Sequence, residues 1–148
     1  MLMKKLTQQL GLICVALLTQ FSLSAQGLNI IPEPLSTTIG KGVFVLPKSI
    51  AINAPATTNE LTDQIANQLR KSTGRTVYFS KNNASITLSV TKDNTLGDEG
   101  YTLNVTDKGI VIKANTNAGL FYGWQTLQQI LPAAIYSQQT TSTTNWQI

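Results

Sequence analysis

Apolar residues recur along this chain with two periods, and the switches between them mark its elements. Residues 1–25, MLMKKLTQQLGLICVALLTQFSLSA, hold one apolar run over 10–18, interrupted only by Gly11. Residues 28–35 read LNIIPEPL, where Pro32 and Pro34 exclude helix and give an extended segment. Residues 43–46 and 49–53 are short apolar stretches separated by Pro47. They predict two short strands or one broken strand. Over 57–74, Leu61, Ile65 and Leu69 recur every four residues with Ala66 beside them, which predicts a helix. Thr57 and Glu60 have capping-box spacing, Arg70 and Lys71 suit the C-terminal end of the dipole, and Gly74 suits the position just past it.

Strict alternation then takes over. Residues 76–79 are rich in β-formers. Ile86, Leu88 and Val90 share one face of a strand over 85–91. Tyr101, Leu103 and Val105 do the same over 100–106, and Asp107-Lys108-Gly109 turns the chain into a second hairpin arm at 110–114. A second helix is predicted over 118–131. Its apolar stripe is Leu120, Trp124, Leu127 and Leu131, widened by Phe121 and Ile130, with Asn117 as N-cap and Pro132 as stop. Gly119 and Gly123 lie four apart within it. Glycines cost helix stability, so close packing of this helix on a sheet is the expected compensation. Residues 137–145, SQQTTSTTN, form a polar loop, and Trp146-Gln147-Ile148 is an apolar triplet with no evident partner. The order strand, strand, helix, strands, hairpin, helix gives an α+β fold: a mixed or mostly antiparallel sheet with two helices packed on one face.

Composition narrows the chemistry. The chain has 148 residues, 42% hydrophobic and 12% charged, with no His and one Cys. This is enough for a packed core. The absence of His removes the commonest general base, Ser-His and Cys-His pairs and the usual zinc signatures. A single Cys excludes an internal disulfide. Carboxylate chemistry, binding or a structural role remain.

The first 25 residues have the layout of an export signal. Lys4 and Lys5 precede the apolar run, and Ser22-Leu23-Ser24-Ala25 supplies small residues for cleavage after Ala25. The run is shorter than the roughly 20 residues of a permanent membrane span. Removing 25 of the 148 residues leaves 123, and the net charge of +4 falls to +2 with the loss of Lys4 and Lys5. Cys14 leaves with them, which suits a periplasmic or secreted protein. Beyond Arg70-Lys71 there is no basic cluster, so no nucleic-acid partner is indicated.

The remaining acids are Glu33, Glu60, Asp63, Asp93, Asp98, Glu99 and Asp107. Asp98-Glu99 is the one adjacent pair. It stands at a strand entrance, where neighbouring side chains point to opposite faces, so a solvated turn is the preferred reading. Glu60 and Asp63 fit a helix start, and Asp107 a turn. Gly97-Asp98-Glu99-Gly100 lacks the context of a phosphate loop. Asn83-Ala84-Ser85 and Asn104-Val105-Thr106 are acceptor sequons, the second inside a strand. Tyr101, Tyr122, Trp124 and Trp146 could stack on sugar rings, but three of the four fall on or beside core-facing periodic positions, which favours core packing. On these grounds no residue is assigned as catalytic, cofactor-binding or metal-binding.

Several of these segments nevertheless form a recognisable set. Residues 99–131 contain the Tyr101-x-Leu103 strand, the hairpin arm ending at Ala114, and the string Gly119-Leu120-Phe121-Tyr122-Gly123-Trp124-Gln125-Thr126-Leu127-Gln128-Gln129. Upstream stand Ile31-Pro32-Glu33-Pro34 and Gly42-Val43-Phe44-Val45-Leu46. Together they resemble the small N-terminal domain of family 20 glycoside hydrolases, the β-N-acetylhexosaminidases. The resemblance implies a sheet with two helices on one side, packed against a TIM barrel, and a substrate class of terminal β-linked N-acetylglucosamine or N-acetylgalactosamine. It implies substrate-assisted hydrolysis, with an Asp-Glu pair in the barrel after a His-x-Gly-Gly string. This chain has no His, and Asp98-Glu99 lies between Gly97 and Gly100 of the small domain, so no catalytic residue is carried over.

The expected organisation is therefore an export signal over 1–25, an α+β accessory domain over 26–132 and a linker over 133–148 toward a barrel that the sequence does not contain. The expected protein is a fragment of an exported β-N-acetylhexosaminidase, inactive alone and needing no cofactor. Its partner would be the catalytic barrel, through which it would serve N-acetylhexosamine-containing glycans. The alternatives are an autonomous carbohydrate-binding module or a protein-interaction module.

Overall fold

A computed structural model describes residues 28–141 and 143–148; the expected export segment, residues 1–25, lies outside them. The elements run β1 (Ser49–Asn53), a short 3-10 turn (Ala56–Thr58), α1 (Asn59–Thr73), β2 (Thr76–Phe79), β3 (Ile86–Val90), β4 (Tyr101–Thr106), β5 (Gly109–Ala114), α2 (Asn117–Ile130) and a second 3-10 turn (Ala133–Tyr136).

The five strands form one sheet in the order β2-β1-β3-β5-β4. β1 runs parallel to both β2 and β3, and β3 runs parallel to β5. Among these five strands only β4 and β5 pair antiparallel, with Thr106 opposite Gly109 at the turn. The α+β class and mixed sheet hold, but the expectation of a mostly antiparallel sheet is corrected. The reason is connectivity: α1 carries the chain from the end of β1 back to the start of β2, as a parallel pair requires.

Register explains the layers. Ile52 stands opposite Ile86, Ile86 opposite Ile110, and Leu88 opposite Ile112. These side chains, with Ile50, Val77 and Ala114, line one face and are buried. The alternate positions Thr102, Asn104, Thr106 and Lys113 are exposed on the other face. Leu61, Ile65 and Leu69 of α1 and Leu120, Trp124 and Leu127 of α2 join the same core cluster, so both helices cover the apolar face. Burying an aliphatic side chain of this size contributes about 1.5–3 kcal/mol. Each helix is thus held by its ridge rather than by its own propensity.

The helix ends differ by a residue from the expected caps. At α1 the N-cap is Thr58, with no side-chain cap bond, and the Thr57–Glu60 box does not form. Thr57 is taken up by the 3-10 turn, while Thr58 Oγ1 donates to the Pro55 carbonyl at 2.7 Å. Gly74 closes this helix in the left-handed region at φ 67°, its N–H reaching Arg70 O at 3.0 Å. At α2 the N-cap is Thr116, whose Oγ1 accepts from the Gly119 N–H at 3.2 Å. Asn117, the expected cap, instead donates its amide to Thr57 O at 3.0 Å and ties the two helix starts together.

Gly119 and Gly123 are where α2 meets the sheet. A Cβ at Gly119 would stand 2.6 Å from Gly100 O and 2.7 Å from Ala114 Cβ, and one at Gly123 would overlap Ile112 Cγ2. The close packing expected of these glycines is present.

Residues 133–141 fold back on α1. Gln68 and Lys71 donate to Ile135 O and to the Gln138 side chain. Thr140 Oγ1 donates to Lys71 O at 3.2 Å, and Thr141 donates to Ser72 O at 3.0 Å through both its N–H and its Oγ1. The polar loop thereby satisfies carbonyls that the last helical turn leaves open. Trp146 follows, 1% exposed. The final triplet, unpartnered in the sequence reading, pairs with residues 44–46. Phe44 and Ile148 exchange two hydrogen bonds of 2.9 Å, and Leu46 N–H reaches Trp146 O at 2.8 Å.

Candidate functional site

The carboxylates are spread over the molecule. Glu33 lies in the leading segment, Glu60 and Asp63 on the outer side of α1, and Asp107 in the β4–β5 turn, all exposed. Asp98 and Glu99 are exposed in the turn before β4. Both precede the first residue of β4, so strand alternation does not govern them. Asp93 sits in the same loop, where its carboxylate accepts from Thr95 N–H at 2.9 Å and Thr95 Oγ1 at 2.6 Å. These bonds favour the charged form and hold its pKa below the usual carboxylate value. A group stabilised as an anion is a poor general acid at neutral pH. Asn115 fixes the loop, accepting from Asp93 N–H at 2.7 Å and donating to Asp93 O and Gly97 O.

An open groove of about 680 Å³ lies where the C-terminal ends of β1 and β2 meet the start of α1. Asn53, Asn59, Asp63, Phe79 and Lys81 are among its lining residues. Open α/β sheets commonly place ligands at such strand ends. Asp63 is the single carboxylate of the lining and Lys81 its single cation, so the groove does not supply a glycosidase's carboxyl pair. Sequence reasoning missed the groove because it depends on parallel pairing of β1 with β2. The helix that follows the first strand was the available signal. Among the described residues no group of three or more His, Cys, Asp or Glu side chains is placed to hold a metal ion.

The aromatic side chains divide. Trp124 and Trp146 are buried in the core. Tyr101 is partly buried, and its hydroxyl hydrogen-bonds Thr126. Of the four rings considered for sugar stacking, Tyr122 alone is exposed. The sequon asparagines differ too: Asn83 is exposed in a loop with φ 52°, and Asn104 is exposed on the polar face of β4.

The outward side of α2 carries Phe121, which the sequence pattern places in the core-facing stripe; the structure turns it to the surface instead. Ala118, Phe121, Tyr122 and Gln129 are exposed along it, with Gln125 half-buried between them. The Phe121 and Tyr122 rings meet edge to face, with centroids 5.7 Å apart. The available signal was compositional: Asn117–Ile130 contains no charged residue.

The sequence model described as glycosyl hydrolase family 20, domain 2, matches residues 27–146. The chain is 33% identical over 95 residues to a lacto-N-biosidase of Bifidobacterium bifidum, a match covering 64% of this chain and 8% of that protein. It is 30% identical over 117 residues to a beta-hexosaminidase of Porphyromonas gingivalis, covering 76% of this chain and 15% of that protein. Among solved structures, the GH20 beta-N-acetylhexosaminidase from Streptomyces coelicolor superposes with a TM-score of 0.74 at 32% identity. That match covers 80% of this chain and 24% of the other. The chain spans less than a quarter of the length of these proteins.

Proposed function

Because the chain belongs to the family of glycosyl hydrolase family 20, domain 2, we propose that it is the accessory domain of an exported β-N-acetylhexosaminidase, supporting a catalytic barrel without cleaving the glycosidic bond itself. The family match over residues 27–146 carries this reading. The dispersed carboxylates support it, since hydrolysis of this kind needs two acidic groups converging on one bond. In this reading the substrate, a terminal β-linked N-acetylhexosamine, is bound by the barrel. The Asp-Glu pair that orients the acetamide and protonates the leaving group also belongs to the barrel. The accessory domain contributes a rigid body, its helix-to-sheet contact closed by Gly119 and Gly123. Export follows from Lys4, Lys5, the apolar run over 10–18 and the small residues ending at Ala25.

Two measurements test the role. The purified chain is expected to leave a chromogenic N-acetylglucosaminide intact, and turnover that survives repurification would overturn the non-catalytic reading. A Streptomyces coelicolor enzyme whose matched segment is replaced by residues 27–146 of this chain is expected to fold and hydrolyse that substrate. An insoluble or inactive chimera would overturn the supporting role. For export, N-terminal sequencing of the protein from the periplasm or medium should begin at Gln26. Recovery of intact Met1 from the cytoplasm alone would overturn it.

A further inference from the structure

We propose that Arg70 closes the free edge of the sheet at β2, and that this edge, once opened, accepts the β2 strand of a second copy of the chain. The device belongs to the small domain alone and does not depend on its supporting role beside a barrel.

β2 is an outer strand, paired with β1 on one side only. Along a strand, the N–H and C=O of one residue point to one side and those of the next residue to the other. Ser80 N–H donates to Ile52 O at 2.9 Å, so Ser80, Tyr78 and Thr76 turn their backbone groups toward β1. Val77 and Phe79 therefore turn theirs outward. Ala51 fits this scheme: it stands opposite Tyr78, and its O accepts from Ser85 N–H on the β3 side at 2.8 Å. A row of outward backbone groups is a template for strand addition. The side chains favour it too. The strand reads TVYF, uncharged and rich in β-formers, with Tyr78 and Phe79 exposed.

Arg70 stands over this edge. From the last turns of α1 its Nη2 donates to Val77 O at 2.8 Å, and its Nη1 donates to Asn67 Oδ1 at 3.1 Å. The first bond takes an outward carbonyl of β2. The second, one helical turn back, holds the guanidinium in place. The rigid fork of an arginine suits this double hold better than an ammonium on a flexible stem. A hydrogen bond from a charged donor is roughly twice as strong as a neutral one, so an incoming strand has to displace a strong contact. The opposite edge is built differently, since β4 presents Thr102, Asn104 and Thr106 on its open face.

The symmetry of the edge names the occupant. An antiparallel pairing of two β2 strands about a twofold axis at Tyr78 sets Val77 of one copy opposite Phe79 of the other. These outward residues can then exchange N–H and C=O bonds in both directions. Tyr78 meets its own counterpart across the axis, an aromatic cross-strand pair of the kind that stabilises sheets. Neither strand brings a charge to repel the other. With Arg70 bound to the Val77 carbonyl of each copy, half of the acceptors of this pairing are occupied.

The test reads association and its location. By analytical ultracentrifugation, Arg70→Ala in the purified chain should self-associate about tenfold or more tightly than the parent, reversibly and with an unchanged circular dichroism spectrum. Amide hydrogen exchange should slow at Val77 and Phe79 as its concentration rises. Adding Phe79→Pro removes an outward donor without touching the bonds to β1, and should return the chain to the parent's state. Lys113→Ala removes the same charge from an exposed site away from this edge. Thr116→Ala removes the α2 cap and costs stability without touching β2. Both should associate no more than the parent. An Arg70→Ala chain that behaves like the parent would overturn the proposal. Association shared by the Lys113 or Thr116 variant would trace it to charge or to lost stability, and overturn it as well. Slowed exchange at Tyr101, Leu103 and Val105 in place of Val77 and Phe79 would put the contact on β4, with the same consequence. A parent already dimeric through Val77 and Phe79 would show that Arg70 does not close the edge.

Discussion

Replacing Gly119 with alanine sets two effects of known size against each other. Helix propensity favours alanine over glycine by up to about 1 kcal/mol. The added methyl would lie 2.6 Å from Gly100 O and 2.7 Å from Ala114 Cβ. Comfortable contact needs about 3.5 Å or more, so α2 must lift off the sheet by nearly 1 Å. Neither neighbour can move aside by a rotamer change, since one is a backbone carbonyl and the other a Cβ on β5. Overpacking of a tight core costs about 1–3 kcal/mol, and the rigidity of both neighbours puts this site in the upper half of that range. The net expectation is destabilisation by about 1–2 kcal/mol, or a melting temperature roughly 4–8 °C lower for each kcal/mol in a domain of this order of size. Urea unfolding of the purified chain, followed by circular dichroism, reads the change as a lower midpoint at unchanged slope. Adding Ala114→Gly should restore part of the loss, because it removes one of the two obstacles and leaves Gly100 O. A Gly119→Ala chain more stable than the parent by about 1 kcal/mol would refute the reasoning, since only propensity would then be acting.

Other perturbations follow from the same contacts. Trp146→Ala should cost about 3–5 kcal/mol in urea unfolding, and limited proteolysis should then cut within 137–145 first; an unchanged midpoint would mean that Trp146 contributes nothing to the core. Thr116→Ala removes the α2 cap and should cost about 1 kcal/mol, whereas Asn117→Ala, which leaves that cap in place, should cost less; the reverse order would return the cap to Asn117. The pKa of Asp93 is lowered by its bonds from Thr95, so the folded carboxylate holds its charge to lower pH than the unfolded one. Its contribution is therefore present above the unfolded pKa and lost as pH falls through the folded one. Nuclear magnetic resonance titration should place Asp93 below the ordinary 3.8, and Thr95→Val should move it upward; a midpoint that ignores Thr95 would remove the stated cause.

The sequence carries which face a residue takes more plainly than which strand it meets. Alternation at Ile86, Leu88, Tyr101 and Leu103 and the four-residue spacing of Leu61, Ile65 and Leu69 follow from side-chain geometry within one element. Ile86, Leu88, Leu61, Ile65 and Leu69 are buried as expected and Tyr101 and Leu103 partly so, whereas Val90, placed on the same face as Ile86 and Leu88, is exposed. Strand partnership is a property of the whole chain, and apart from the helix between them nothing in the pattern of β1 and β2 distinguishes a parallel from an antiparallel neighbour. The groove at the ends of those strands shared that illegibility. The Thr116 and Thr58 caps were displaced by one residue because Thr116, Asn117, Thr57 and Thr58 all have side chains able to cap, and tertiary contacts decide among them. The partner of the final triplet is illegible for a similar reason: Leu46, which pairs with Trp146, lies a hundred residues upstream.

The pairing of Phe44 with Ile148 bears on chain topology. Two hydrogen bonds of 2.9 Å join backbone positions at opposite ends of the folded core, so the stretch between them is close to a ring. A ring can be opened elsewhere. A circular permutant that links residue 148 to residue 44 by a short glycine-rich bridge, with new ends in the exposed turn near Asn82, would keep every strand neighbour and both helix seats. The same closure makes the fold suited to insertion, since a host polypeptide can depart from and return to nearly the same point in space.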